Sequence, residues 1–174
     1  MIKRGASTLG LLLLAPAAAS AQTSSEAAVK AAFLIKFGAY VGWPPSAGPV
    51  KLCLVGRDVF GSMIDQAASG ERIDGRPVQV QRTDSITRAS GCAIAYLTGS
   101  ARQGVPAALA SLRGAPVLTV TDAQWSNVRG MIHFQVSANR VRFHIDERSA
   151  AEGGMTISSK LLGLALSVRQ RTGR

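Results

Sequence analysis

The sequence predicts an α/β fold, a three-layer sandwich with a mainly parallel sheet and a C-terminal β-hairpin plus helix. Short, almost wholly apolar runs alternate with helical stretches between residues 50 and 120. This is typical of parallel strands that helices cover on both faces. After Gly130 the pattern changes to two strand-like segments joined by a short turn, which indicates a hairpin.

The start of the chain predicts a secretory signal peptide over residues 1–21. Lys3 and Arg4 provide the positive start, residues 9–19 form an apolar run, and small residues up to Ala21 match a cleavage site. The apolar run is shorter than the roughly 20 residues of a membrane anchor. We therefore expect export to the periplasm and one domain over residues 22–174, with a buried N-terminal helix as the alternative.

The first element of that domain is a predicted helix that Ser24 or Ser25 can cap. Its apolar stripe at helical spacing consists of Val29, Ala32, Phe33, Phe37, Tyr40 and Val41. The Trp-Pro-Pro segment at 43–45 ends the helix, because proline cannot continue it.

Strands and helices then alternate along the chain. Strands are expected at residues 50–55, 78–80, 92–97 and 116–120, and the hairpin at 131–136 and 140–145. Helices are expected at residues 58–68 and 85–89 and, with Ser100 as the cap, up to residue 112. A final helix from Ser158 through Val168 would bring Arg169, Arg171 and Arg174 to its negative end.

The chain is strongly basic. It carries 20 Lys and Arg against 10 Asp and Glu, and loss of Lys3 and Arg4 with the signal leaves a net charge of +8. Nucleic acid is not the expected partner, because the protein is exported, has few aromatic residues and scatters its basic positions. Arg prefers carboxylate or phosphate groups, so the charge favours an anionic membrane surface, an acidic partner or a small anionic ligand.

The chain has two cysteines, Cys53 and Cys92. An even count in an oxidising compartment favours a disulfide, and two buried free thiols are the alternative.

The sequence contains no recognised catalytic motif, and we expect neither an enzyme nor a cofactor. His133 and His144 fall in adjacent predicted strands, but no third metal ligand stands at a fixed spacing beside them. Ser158, Ser159 and Lys160 resemble a Ser–Lys pair only superficially, and helix capping explains them equally well.

Two regions are candidates for binding. Strand alternation puts Arg140, Arg142 and His144 on one face, where they can hold a carboxylate or phosphate or contact an acidic surface; a solvated strand face is the alternative. The loops after the parallel strands, at 56–57, 98–100 and 121–122, form the usual ligand position of open α/β sheets, unless their glycines are plain turn residues.

The order of these landmarks resembles the YfiR family of periplasmic proteins across nearly the whole mature chain. The matching segments are KAAFLIKF at 30–37 with GWP at 42–44, LCLVG at 52–56, DGRPV at 74–78, GCAI at 91–94, PVLTVTD at 116–122, GMIHF at 130–134, VRFHI at 141–145 and ISSKLL at 157–162.

The resemblance implies a regulator. Similar proteins bind the periplasmic part of a YfiN-type membrane diguanylate cyclase and hold it inactive, which lowers cyclic-di-GMP and biofilm formation. An OmpA-like outer-membrane lipoprotein sequesters the regulator. A periplasmic module that binds a small anion without a cyclase partner is the alternative function, and a homodimer stays open.

The resemblance also assigns individual residues. Cys53 and Cys92 fall at the positions of a family disulfide, whereas a second cysteine pair that some members carry near residues 125–134 is missing here. Arg142 and His144 match the Arg-x-His of the family's ligand pocket. Trp43 and the exposed apolar part of the first helix are the expected partner contacts, with burial in the core as the alternative.

Overall fold

An eight-stranded sheet forms the centre of the protein, and a separate two-stranded sheet lies beside it. The computed structural model describes residues 18–171, with side chains from residue 26 onward. Residues 1–17 of the predicted signal peptide lie outside the described residues, and its cleavage stays a prediction. No helix in the described range is both long and apolar enough to cross a membrane.

The elements follow one another along the chain in short connections. The helices are Ala18–Ala39 (α1), Ser62–Ala68 (α2), Val105–Leu112 (α3), Glu147–Glu152 (α4) and Ser159–Leu162 (α5), and a 3₁₀ turn covers Arg88–Ser90. The strands are Val41–Gly42 (β1), Val50–Gly56 (β2), Arg72–Ile73 (β3), Arg76–Thr83 (β4), Ile94–Gly99 (β5), Leu118–Asp122 (β6), Ile132–Ser137 (β7), Arg140–Asp146 (β8), Thr156–Ile157 (β9) and Ser167–Arg169 (β10).

The strand order of the large sheet is β10-β8-β7-β6-β5-β2-β4-β3. The run from β4 through β2, β5 and β6 to β7 is parallel, as are β8 and β10, whereas β7–β8 and β3–β4 are antiparallel. The mainly parallel sheet and the hairpin are therefore confirmed. The hairpin turn is tight, because Ala138 and Asn139 both adopt positive φ.

Two apolar cores on opposite faces of the sheet make the three layers. Alternation in β2 sends Leu52 and Leu54 to the α1 and α2 side, and Cys53 and Val55 to the α3 side. The larger core contains the aromatic cluster of Phe33, Phe37, Phe134 and Phe143. The smaller core packs Val105, Ala108 and Leu112 of α3 against β2 and β5.

The Cys53–Cys92 disulfide is present and lies in the smaller core, with a Cα–Cα distance of 5.9 Å. It joins β2 to the segment that leads into β5. Both cysteines are almost fully buried. The bridge therefore holds β2 and the start of β5 together from inside the core, beneath α3.

The first helix differs from the expectation in its start and in its buried face. It begins at Ala18, so neither Ser24 nor Ser25 caps it. Phe37 and Val41 of the predicted stripe are buried, but Val29, Ala32 and Tyr40 are exposed. The buried face instead consists of Lys30, Ala31, Leu34, Ile35, Phe37 and Gly38. Gly38 packs so closely against Ile73 that an added Cβ would lie 2.2 Å from its Cδ1 atom.

Two predicted helix starts are wrong because side chains stabilise loops there. Asp58 accepts hydrogen bonds from the N–H groups of Phe60 and Gly61, and α2 begins only at Ser62. Ser100 accepts hydrogen bonds from the N–H groups of Arg102 and Gln103, which delays α3 until Val105.

The predicted final helix is wrong beyond its first turn. Ser158 caps α5, which ends at Leu162, and Ser167–Arg169 then forms β10 parallel to β8. The outer edge of β8 has backbone N–H and C=O groups that would otherwise lack a strand partner. Residues 167–169 pair with these groups instead of continuing the helix. Arg169 and Arg171 bind Asp146 and Glu147 instead of a helix end, and Arg174 lies outside the described residues.

Candidate functional site

The hairpin and β10 carry a polar surface on the α3 side of the sheet. We call it the hairpin face, and it consists of His133, Gln135, Arg142, His144 and Ser167. Phe143 and Ile145 of β8 point into the larger core, so the residues between them point away from it. The register puts Arg142 opposite Gln135 and His144 opposite His133 on β7. Alternation and register thus place Arg142 and His144 on this face, whereas Arg140, next to the hairpin turn, lines a groove with Val29 and Phe33 of α1. That these three residues form one binding face stays a prediction.

Hydrogen bonds connect the polar side chains of the hairpin face. The Nε2 atom of His144 lies 3.0 Å from Gln135 Oε1, and its Nδ1 atom lies 2.7 Å from Ser167 Oγ on β10. His133 is buried, and its Nδ1 atom lies 2.8 Å from Thr121 Oγ1 on β6. The two imidazole rings are 6.4 Å apart, so the histidine pair links four strands.

Both histidines favour the neutral form. Burial lowers the pKa of His133, and the positive charge of Arg129 lowers it further. Burial and Arg129 act in the same direction on the pKa of His144. At neutral pH the pair therefore offers hydrogen bonds and not positive charge.

The positive charge of this region comes from Arg140 and Arg142. Both are exposed, and neither forms an ion pair or a side-chain hydrogen bond among residues 26–171. In contrast, Arg169 and Arg171 nearby each bind a carboxylate. An unpaired guanidinium presents several N–H donors in one plane, which is the geometry that carboxylates and phosphates accept.

An apolar groove adjoins the hairpin face, between α1 and the hairpin. Val29, Phe33, Val136 and Val141 line this α1–hairpin groove, which has a volume of about 350 Å³. Val29 and Val136 remain 42% and 44% exposed. Exposed apolar side chains beside an unpaired arginine are typical of protein contact surfaces.

Trp43 does not belong to this region. It follows β1 and is partly buried against the larger core, and it lines a separate cleft with prolines and two other arginines. The predicted contact residues therefore lie in two separate regions: Trp43 in this cleft, and Arg140, Arg142 and His144 on the hairpin.

The loops at the carboxyl ends of the parallel strands meet at one edge of the sheet, as expected. Arg57, Thr98 and Ser100 line a shallow cleft of about 440 Å³ with Trp125. The Arg57 guanidinium lies 5.1 Å from the Trp125 ring. The Thr98 hydroxyl lies within hydrogen-bonding distance of the Val55 and Arg57 carbonyls, which makes it part of the loop structure.

A buried ion pair that local sequence patterns do not reveal lies beneath this edge. Lys30 lies 2.5 Å from Asp122 Oδ2 and 2.5 Å from Glu26 Oε1. The Tyr96 hydroxyl donates to Asp122 at 3.0 Å, and burial, followed by the Asp122 carboxylate, raises the pKa of Tyr96 above its usual range. The sequence indicates a buried charge at this position only by placing a lysine within an apolar helix segment. No local pattern identifies Asp122, which is distant in sequence, as its partner.

No cluster of three or more His, Cys, Asp or Glu side chains suited to a metal ion occurs in the part of the chain that the structure describes. Ser158 accepts a hydrogen bond from the N–H of Leu161 at the start of α5. This agrees with the capping interpretation of the Ser158–Lys160 segment.

These observations define a small disulfide-bonded α/β domain with surfaces for binding. The model of the YfiR/HmsC-like family matches residues 27–166, and the chain belongs to that family. The family consists of periplasmic regulators associated with cyclic-di-GMP signalling. A search of the curated proteins gives no match.

Proposed function

We propose that the protein binds the periplasmic part of a YfiN-type membrane diguanylate cyclase and holds it inactive. Inhibition lowers cyclic-di-GMP and therefore biofilm formation. An OmpA-like outer-membrane lipoprotein relieves the inhibition by sequestering the regulator.

The family match carries this proposal, because it covers the chain from the buried part of α1 to the segment before β10. A disulfide inside the smaller core agrees with folding in an oxidising compartment. The proposal that the protein is not an enzyme rests on the regulatory nature of the family.

The α1–hairpin groove is the surface that we assign to the cyclase. It combines the exposed Val29 and Val136 with the unpaired Arg140 at its rim. The one carboxylate among the described lining residues, Glu26, is neutralised by its ion pair with Lys30. Apolar anchors supply affinity when they are buried, and a charged rim selects an acidic partner.

A second function has its own observation. Arg142 and His144 lie on one strand face beside Gln135, with the arginine unpaired. Both ring nitrogens of His144 are already within hydrogen-bonding distance of Gln135 and Ser167. The unpaired Arg142 guanidinium is therefore the group that can hold a small carboxylate or phosphate, and an anion-binding module without a cyclase partner is the alternative function.

Cyclic-di-GMP in a deletion strain is the first measurement. We expect it to rise on deletion and to fall again with a copy that carries residues 1–21, but not with a copy that begins at residue 22. An unchanged concentration under several envelope stresses would contradict cyclase inhibition.

Direct binding separates the two functions. The purified exported protein is titrated with the periplasmic domain of a YfiN-type membrane cyclase from the same organism, and separately with inorganic phosphate and acetate. Binding of the cyclase domain alone supports the inhibitor, and binding of an anion alone supports the module.

Size-exclusion chromatography of the free chain tests whether it forms a homodimer.

A further inference from the structure

We propose that the cleft beside Trp43 binds a small organic anion that carries a flat apolar ring. This Trp43 cleft has a volume of about 400 Å³, and its lining includes Trp43, Pro45, Arg76, Arg88, Cys92 and Pro116. The volume falls in the range of small-molecule sites. None of Arg140, Arg142 and His144 lines it.

The cleft lies at the edge of the sheet where the parallel strands begin. Pro49 precedes β2, Cys92 precedes β5 and Pro116 precedes β6, and all three line the cleft. It is therefore opposite to the carboxyl-end loops. The site is separate from the hairpin face and stands whether or not the protein inhibits a cyclase.

The lining of the cleft is positively charged. It contains Arg76 and Arg88 and no aspartate or glutamate, and neither arginine forms an ion pair among residues 26–171. Arg76 donates to Ser46 Oγ at 2.7 Å, and Arg88 donates to the Arg113 carbonyl. Each guanidinium has five N–H donors, so most of them remain for a carboxylate or phosphate.

The other wall of the cleft is aromatic and rigid. Trp43 is partly buried, and its Nε1–H is buried without an acceptor in the described residues. Because this N–H is buried, the rest of the indole supplies the contact with a ligand. A ring that stacks on it gains apolar contact.

The walls are held in place before any ligand binds. β1 pairs with β9 immediately before Trp43, with Val41 opposite Ile157. Pro44 and Pro45 restrict the following backbone, and Cys92 is tied to β2 by the disulfide. A preorganised site loses less conformational entropy on binding.

The test uses 2-naphthoate as the anionic probe and 2-naphthalenemethanol as its neutral counterpart. The chain contains two tryptophans, so Trp125→Phe leaves Trp43 as the only one to report binding by fluorescence. We expect 2-naphthoate to change this signal and the neutral alcohol to bind at least tenfold more weakly. Equal affinity for both compounds would overturn the proposal, since the arginines would then have no role.

Charge variants locate the site. In the full exported protein, Arg76→Gln with Arg88→Gln should weaken 2-naphthoate binding at least tenfold in calorimetry. The matched control is Arg102→Gln with Arg148→Gln, which removes the same charge outside the cleft and should bind as the wild type does. Equal weakening by both pairs would instead indicate attraction to the net positive charge and would contradict a built site.

Substitution of the indole provides a test that does not depend on the arginines. Trp43→Phe keeps an aromatic wall but removes the N–H, and we expect a smaller loss of affinity than in the arginine pair. Circular dichroism confirms that each variant is folded. An unchanged affinity in both Trp43→Phe and Trp43→Ala would place the probe elsewhere and overturn the site.

Discussion

Lys30 on α1 and Asp122 at the end of β6 form an ion pair of 2.5 Å with almost no exposure to solvent, 4% and 2% for the two side chains. Lys30 also binds Glu26, and Asp122 also accepts hydrogen bonds from the Tyr96 hydroxyl and from the N–H of Gln124. It joins the first helix to the centre of the sheet. Removal of one partner from a buried pair leaves an uncompensated charge in the interior.

Lys30→Met should therefore destabilise the protein strongly. We expect the free energy of unfolding to fall by about 3–5 kcal/mol in urea. Lys36→Met is the matched control, because Lys36 is exposed on the same helix, and its effect should stay within about 0.5 kcal/mol. Similar losses in the two variants would show that the buried pair contributes little.

Removal of the disulfide should lower the melting temperature. Cys53→Ala with Cys92→Ala opens a bridge that spans 39 residues, and chain-entropy arguments predict a loss of about 2–4 kcal/mol. Reductant should lower the Tm of the wild type and leave the double variant unchanged. Sensitivity of the variant to reductant would contradict the assignment, since no other cysteine exists in the chain.

The histidine pair should make stability depend on pH. The pKa values of His133 and His144 are lowered in the folded state, so the unfolded chain binds more protons below its pKa of about 6.5. Stability is then complete above that pH and falls as the pH drops toward the lowered values. Urea unfolding at pH 7.5 and 5.5 measures the difference.

The matched variant for this prediction is His133→Gln with His144→Gln. It should flatten the change in unfolding free energy between pH 7.5 and 5.5. Asp58 and Asp65, whose pKa values are lowered below 3.8, affect stability only at more acidic pH. An equal slope in both proteins would show that other groups cause the dependence.

Gly56 should tolerate no side chain. It adopts a φ of +99°, and an added Cβ would lie 2.1 Å from the Gly99 carbonyl oxygen. We expect Gly56→Ala to lower the free energy of unfolding by more than about 2 kcal/mol, beyond the 1–2 kcal/mol of a positive φ alone. Gly91→Ala is the matched control. Gly91 lies in the left-handed region, with φ +69° and ψ +21°, and an added Cβ would meet only Lys51 Nζ at 3.7 Å, so this variant should show only the smaller loss.

Arg140 and Arg142 should matter for the proposed inhibition and not for folding. Both are unpaired, so Arg140→Gln with Arg142→Gln should leave the Tm nearly unchanged. It should weaken binding to the cyclase domain about tenfold and raise cellular cyclic-di-GMP. Arg72→Gln with Arg102→Gln is the charge-matched control. Wild-type inhibition by the first pair would exclude Arg140 at the rim of the α1–hairpin groove, and Arg142 near it, from the docking surface.

Local patterns in the sequence predicted the sheet, because strand alternation and helical spacing are properties of neighbouring residues. The same alternation predicted that Arg142 and His144 lie on one face of β8, but it did not predict that Arg140 lines the groove beside α1. The C-terminal segment could not be predicted in this way. Its leucines fit helical spacing, and only the available edge of β8 decides that residues 167–169 form a strand.

By itself, the sequence determined the order of the parallel strands and the hairpin along the chain, the one disulfide that two cysteines allow, and the family. The tertiary structure alone decided which distant residues meet: Lys30 with Asp122, His144 with Ser167, and Trp43 with Arg76 and Arg88. The physical reason is that periodicity reports which side of an element is buried, whereas the strand order and the helix crossings determine what lies opposite. The hairpin face and the Trp43 cleft both depend on these long-range contacts.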